Sequence, residues 1–513
     1  MVKDPDKKIS IYSTSYNEEV TGTNTLFIVR WPEGREVRFI VDFGITQEVM
    51  WKEHNGNVLY DITKLDFALL THVHADHCGL LPLLRKSENI RTTYCSEATK
   101  AYLPIMLEEV SERIVDEFKR DKKEEKKKQE ALKLLKQQSR TARHSPGKLG
   151  KKDKKRSAKG KKRRASPKGM LPLTGILYTK DDARGFLKTV KAMPYNRRFV
   201  AAKGVHVTFY ENGHVDGSVL TLIRVFDKNE NLYFLITGDI GVQNGLTKMK
   251  TNLPKNMADK VSFIVSEATY GWDKEIVDKE VERKKFLDVI NRACMEKKRI
   301  LCPFYAFERT VQGLMHMDIV KAENKALKSF PVYMDTNLGV KFLDVMRKRI
   351  PAVRALKGFD IVTAKNGREE LKMSEPPYIV FLTSGQFNKG SILSYAEFLE
   401  DPNTIVLFGG YIPEKVQNYM ALKNGTKIMY NGQSIKLRAE MVSVKCYSAH
   451  MQRHELLEFL AGFKNANTVL FTHGSKNAKQ AMVQEVKKTG VVAHNMLYSK
   501  SVVIDRDGIS KVY

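Results

Sequence analysis

The stretch Thr71-His72-Val73-His74-Ala75-Asp76-His77 decides how the chain is read. Three imidazoles and a carboxylate fall within six residues, in a chain with only 12 histidines among 513 residues. They follow the apolar run 67–70, which reads as a buried strand. Imidazole nitrogen and carboxylate oxygen are ligands that zinc accepts, and a tight turn at a strand end gathers them at an open edge. A polar loop with coincidental histidines is the bland alternative, and the density of ligand-type residues argues against it.

The same pattern recurs on either side. Upstream, 23–30 and 36–42 read as strands joined by Pro32-Glu33-Gly34-Arg35. The second ends at Asp42, placed either to orient a metal-bound histidine or to cap a turn. Downstream, the strand 205–210 leads to Asn212-Gly213-His214, 232–237 to Gly238-Asp239, and 261–265 to Ser266-Glu267-Ala268-Thr269-Tyr270-Gly271. Near the end, 441–445 leads to Tyr447-Ser448-Ala449-His450 and 468–471 to Thr472-His473-Gly474. Amphipathic helices, 453–463 and 477–488, follow these two. In each case one His, Asp or Glu stands at the C-terminal end of an apolar strand, and several such ends on one edge can form a site.

Residues 272–426 break the pattern. Helical stretches (274–297, 307–326, 338–349, 391–399) alternate with short strands (300–304, 330–334, 378–382, 404–408), which implies crossover units on a parallel sheet. The block has no histidine or cysteine cluster and reads as a lid or substrate domain. Its turn Thr383-Ser384-Gly385-Gln386 can present backbone N–H groups to a phosphate, or can be an ordinary turn.

The net charge of +28 is uneven. Residues 119–168 hold 23 Lys/Arg against 5 Asp/Glu, so +18 sits there and +10 in the remainder. The amphipathic pattern of 98–118 is expected to run on faintly through 122–138. The segment 119–168 as a whole reads as a basic, disordered insert, with few apolar groups to offset the cost of ordering. A phosphate-binding loop is the favoured role; a solvated run and a nuclear-import signal are the alternatives. The five cysteines (Cys78, Cys95, Cys294, Cys302, Cys446) are scattered, with no Cys-x-x-Cys, which fits a reducing compartment. The N-terminus is charged, and no apolar run approaches the roughly 20 residues of a membrane span. A cytoplasmic protein is expected, or a nuclear one if the source is eukaryotic, without membrane attachment.

Taken in order, Asp42, His72-x-His74-x-Asp76-His77, His214 and Asp239 closely resemble the metallo-β-lactamase superfamily. Glu267, His450 and His473 resemble the three further motifs of its β-CASP nucleases. The resemblance implies an αββα sandwich in two parts, 1–271 and 427–513, with an inserted β-CASP α/β domain over 272–426. It implies that His72, His74 and His214 bind one zinc, that Asp76, His77 and His473 bind a second, and that Asp239 bridges them, with Mn2+ as the alternative metal. His450 would be the general acid, Glu267 would set its orientation and charge, Asp76 would serve the catalytic centre as well as the metal, and Asp42 would stand behind the ligands. Ser384, Gly385 and Ser448 would contact phosphate. Two metals about 4 Å apart can clamp a phosphodiester and acidify a water between them.

The implied activity is a zinc-dependent endoribonuclease leaving 5′-phosphate and 3′-hydroxyl ends, because β-CASP members with His at the last motif cut RNA. The motifs resemble the pre-mRNA cleavage endonucleases and their prokaryotic relatives, and RNase J more distantly. A 5′-to-3′ exoribonuclease and a silent RNA-binding scaffold are the alternatives. RNA is the implied partner, with a processing complex or a homodimer left open. Two departures stand out: Met451-Gln452 follows His450 where the family has a small residue and Asp, and Ser475 follows Gly474 where it has Glu.

Overall fold

Alternation along the strands builds the core. In Thr25–Arg30 and Glu36–Val41, Phe27 and Phe39 point to one face and Leu26 and Ile40 to the other. The computed structural model describes residues 8–16, 20–46, 55, 58, 60–86, 92–141, 175–383, 385, 387, 389–410 and 414–512. An eight-stranded sheet carries, among others, Ser10–Ser15, Thr25–Arg30, Glu36–Val41 and Phe67–Leu69. A seven-stranded sheet carries Val205–Glu211, Val219–Phe226, Asn231–Ile236, Val261–Glu267 and Thr468–His473. The two sheets face each other across a row of rings. Phe39 stacks on Phe27 at 5.2 Å and on Phe67 at 4.7 Å, Phe27 meets Phe234 of the opposite sheet at 5.6 Å, and Phe234 stacks on Phe263 at 4.6 Å.

Helices cover both outer faces. Tyr102, Leu103 and Val110 of the helix Glu97–Thr141 pack with Leu26, Ile40 and Leu70. Leu456 and Leu460 of Arg453–Ala461, with Met482 and Val486 of Lys476–Lys487, pack with Leu222, Ile264 and Phe471. The architecture is the αββα sandwich.

A third sheet of six strands belongs to the inserted block. Its order is Asp360–Ile361, Val332–Asp335, Tyr378–Leu382, Arg299–Pro303, Thr404–Gly409, Glu440–Val444, and every neighbouring pair is parallel. The expected limit at 426 falls short of the last strand. The hairpin Thr426–Tyr430 and Gln433–Leu437 buries Ile428, Tyr430, Ile435 and Leu437 with this sheet, so the chain crosses back only after Val444. Phe307 ties the block to the sandwich, its ring 4.9 Å from both Tyr102 and Phe342.

The expected disorder of 119–168 is corrected in its first part, because the helix runs unbroken to Thr141. Burial ends at Ile114, and residues 119–134 are all exposed. Strong helix formers and opposite charges one turn apart, such as Glu124 with Lys128 and Lys126 with Glu130, sustain it. Residues 142–168 lie outside the described residues. Smaller differences concern ends: the helix expected from 274 starts at Lys279, where Asp278 caps it, and 391–399 is a 3-10 helix, Ser391–Glu400. Among the described residues no helix is long and apolar enough to cross a membrane.

Candidate metal centre

The strand Phe67–Leu69 delivers the histidine run to one edge of the sandwich. His74 is extended (φ −60°, ψ 146°) and starts the short helix Ala75–Cys78, which brings Asp76 and His77 round beside His72. This turn presses on the end of the neighbouring strand. A Cβ on Gly44 would lie 1.6 Å from the Asp76 carbonyl oxygen, so only glycine fits there. The other strand ends converge on the same place. Asn212 donates to the backbone oxygens of Thr237 at 3.0 Å and Asp239 at 2.7 Å, locking the His214 turn to the Asp239 turn.

Two groups of ligand-type atoms result: His72, His74, His214 and Asp239, and next to them Asp76, His77 and His473. Within each group the atoms lie within 4.8 Å of one another. Asp239 joins the groups. Its Oδ1 is 3.2 Å from His77 Nε2 and 3.5 Å from His473 Nε2; its Oδ2 is 3.6 Å from His72 Nε2 and 3.8 Å from His214 Nε2. Asp239 Oδ1 and His77 Nε2 are buried without a hydrogen-bond partner, which a folded chain tolerates poorly unless a ligand takes them up. Nitrogen and oxygen donors in this arrangement fit a pair of divalent metal ions of the zinc type.

The electrostatics suit ligation. Burial, with neighbouring imidazoles, keeps His72 and His214 well below the ordinary imidazole value, and pushes His74 down to about 3, so all three offer lone pairs. Burial opposes ionisation of Asp239, but His473, His77 and His72 around it hold its carboxyl well below the usual range. His77 is the exception: burial pulls it down, yet Asp239 and Asp42 raise it well above 6.5.

Second contacts fix the rings. Asp42 Oδ2 is 2.7 Å from His77 Nδ1, and the same carboxylate accepts the Thr71 N–H and hydroxyl, each at 2.8 Å. Thr71 Oγ1 also lies 3.0 Å from His72 Nδ1, and Thr23 Oγ1 lies 2.8 Å from His473 Nδ1. These bonds choose which ring nitrogen faces the metals.

His450 stands at the rim, its ring centroid 4.6 Å from that of His214. Its Nδ1 is 2.9 and 3.0 Å from the two oxygens of Glu267. Glu267 also accepts the Ile240 N–H at 2.6 Å and the Thr269 N–H at 3.2 Å, so its carboxylate is held at both ends. Burial lowers the His450 pKa, but Glu267, aided by Asp239, outweighs it and leaves it above 6.5. An imidazole with Nδ1 engaged and its charge favoured can give a proton from Nε2.

The three residues expected at phosphate fare differently. Ser448 Oγ bonds the Tyr270 hydroxyl at 2.9 Å, and the Tyr270 ring stands edge-on to His450 at 5.9 Å. Gly385 packs against the Tyr305 ring in the inserted block. Ser384 lies outside the described residues. Of the two departures, Ser475 caps the helix Lys476–Lys487, and Gln452 forms a capping box with Glu455.

Residue reading alone missed Glu308 and Arg309. Arg309 contributes a positive field that lowers both His74 and His450, and its guanidinium lies over the Tyr305 ring. Glu308 is buried. It accepts the Asp216 N–H and an Asn244 N–H, the latter at 3.0 Å, joining the inserted block to the turn that holds His214. The available signal was a charged pair directly after the apolar run 304–307.

Facing sheets with ligands at one edge of strand ends define a metallo-hydrolase of the metallo-β-lactamase type. Residues 19–150 match the metallo-beta-lactamase superfamily, 312–415 the beta-Casp domain, and 434–496 the Zn-dependent metallo-hydrolase RNA specificity domain. The chain belongs to the metallo-β-lactamase superfamily, in the branch of hydrolytic enzymes that carries a β-CASP domain. It is 23% identical to transcription termination factor FttA of Methanosarcina mazei, over 90% of this chain and 66% of that one. It is 22% identical to ribonuclease TTHA0252 of Thermus thermophilus, over 90% of this chain and 93% of that one. It is 22% identical to cleavage and polyadenylation specificity factor 73 of Drosophila melanogaster, over 82% of this chain and 53% of that one. The chain thus spans less than two thirds of the fly protein and just under two thirds of the archaeal one.

Proposed function

We propose that the chain is a metal-dependent ribonuclease that cuts RNA internally and leaves 5′-phosphate and 3′-hydroxyl ends. The observation that carries this is the single carboxylate of Asp239 facing two ligand groups, with the His450–Glu267 pair beside them. Likeness to a ribonuclease over nearly all of both chains supports it. His72, His74 and His214 would hold one zinc, Asp76, His77 and His473 the other, and Asp239 both. Such a pair, or Mn2+ in its place, supplies positive charge to a phosphodiester and acidifies water. Asp42, Thr71 and Thr23 hold the ligand rings so that this charge is aimed. Glu267 keeps His450 cationic, and His450 protonates the departing O3′. Arg309 meets a phosphate oxygen from the inserted side.

The test is an internally labelled RNA incubated with the purified chain, with and without a chelator, both product ends being mapped. Internal cuts that the chelator abolishes and that persist on an RNA with a blocked 5′ end are the expected result. Complete protection by the block would assign 5′-to-3′ exonucleolysis instead.

A further inference from the structure

Residues 270–277 lead the chain out of the sandwich, and they run along the loop that carries His450. Three contacts fix this course. The first is the bond between Ser448 and Tyr270. In the second, Lys445 Nζ meets Glu275 Oε2 at 2.9 Å. In the third, the Gln452 side chain pairs with both backbone groups of Val277, accepting its N–H at 2.6 Å and donating to its oxygen at 2.9 Å. Between these ties stand Trp272 and Ile276, each 68% exposed. Trp31, by contrast, is 3% exposed. A large indole held in water on a segment tied down on both sides offers a fixed ring face on which a base can stack.

We propose that Trp272 is a stacking platform for a base of single-stranded RNA, at the nucleotide immediately 5′ of the cleaved bond. The inference rests on the ribonuclease reading above and says where the substrate lies within it. His450 serves the departing O3′, and the nucleotide that keeps that oxygen lies 5′ of the break. Its base therefore falls on the side of the loop 445–452, along which Trp272 is held. Stacking on an indole suits any base, because every base has a π-face.

The test uses the full chain with metal bound and a single-stranded RNA whose cut has been mapped. Trp272→Ala should raise KM about tenfold with far less change in kcat, while Trp272→Phe keeps most of the affinity. An abasic nucleotide 5′ of the cut should penalise the native chain and leave Trp272→Ala indifferent. An abasic nucleotide 3′ of the cut should penalise both alike. Quenching of tryptophan emission by oligouridylate, measured under chelation, should be lost in Trp272→Ala. The side chain is exposed, so the melting temperature should not move. A native chain that cuts RNA while Trp272→Ala matches it in KM and quenching would overturn the platform and leave the ribonuclease reading intact. A native chain that cuts no RNA overturns both. If Trp272→Ala keeps RNA affinity but loses self-association, the surface belongs to a second copy of the chain instead.

Discussion

Asp239 is where the two halves of the metal cradle meet, since each carboxylate oxygen faces a different set of imidazoles. Asp239→Asn keeps the shape and removes the charge and one oxygen. It is expected to lower the number of metal ions bound per chain. RNA cleavage should fall by more than about 100-fold, the upper end of what loss of a merely supporting partner costs. Elemental analysis together with a cleavage assay checks this, and full metal content in the variant would refute the bridging role. His450 offers a second prediction. It must be cationic to act as an acid, so activity is lost as pH rises through its pKa. Glu267 raises that pKa. Glu267→Gln should therefore move the alkaline limb of the pH–rate profile to lower pH, and an unmoved limb would mean another group is the acid. The ligand residues could be read from sequence because each ends an apolar strand, and strand ends of one sheet share an edge. Thr23 and Thr71 could not, because a single hydroxyl has no signature until its neighbour's ring nitrogen is in place.

At the scale of elements, the helix Arg309–Glu323 begins at a strained residue. Glu308 has φ +59° although it is not glycine, and its buried carboxyl is pushed up to about 8, first by burial and then by the nearby Asp216 charge. Folding thus favours the protonated form over an ordinary value of 4.5. The stability this contributes is complete below about 4.5 and is lost as pH rises towards 8. Glu308→Gln cannot titrate, so its melting temperature should fall less than that of the native chain between pH 5 and 8 (about the span of the shift). Parallel curves from the two proteins would refute the linkage. Nothing in the sequence announces a positive φ at a glutamate, since the conformation is imposed by the junction. The strands and helices themselves followed their periodicities closely. The basic run was legible in part: the faint pattern through 122–138 is helical, sustained by i,i+4 pairs rather than by burial, while its reading as disordered fails as far as Thr141.

At the scale of the whole molecule, charge is segregated from chemistry. The helix Glu97–Thr141 is buried only up to Ile114, and over 119–134 it is exposed all round, about 24 Å of basic helix at about 1.5 Å per residue. Deleting 119–168 removes 23 cationic residues. It is expected to weaken RNA binding and to flatten its dependence on salt, each lost phosphate contact lowering the slope by up to about one. The rate of cleavage at saturating RNA should hold. Titrations at several salt concentrations decide this, and an unchanged slope would mean that the run is merely solvated.

The paired strands Val261–Glu267 and Thr468–His473 are neighbours in space although some two hundred residues separate them in the chain. Everything between them leaves past Glu267 and comes home past His450. The bond between these two side chains is thus a clasp across the neck of the insertion. Both ends of that clasp are anchored on the sandwich, because Ile240 donates its N–H to Glu267 and accepts the Met451 N–H at 2.7 Å, so the proton donor stays set on the sandwich side of the neck.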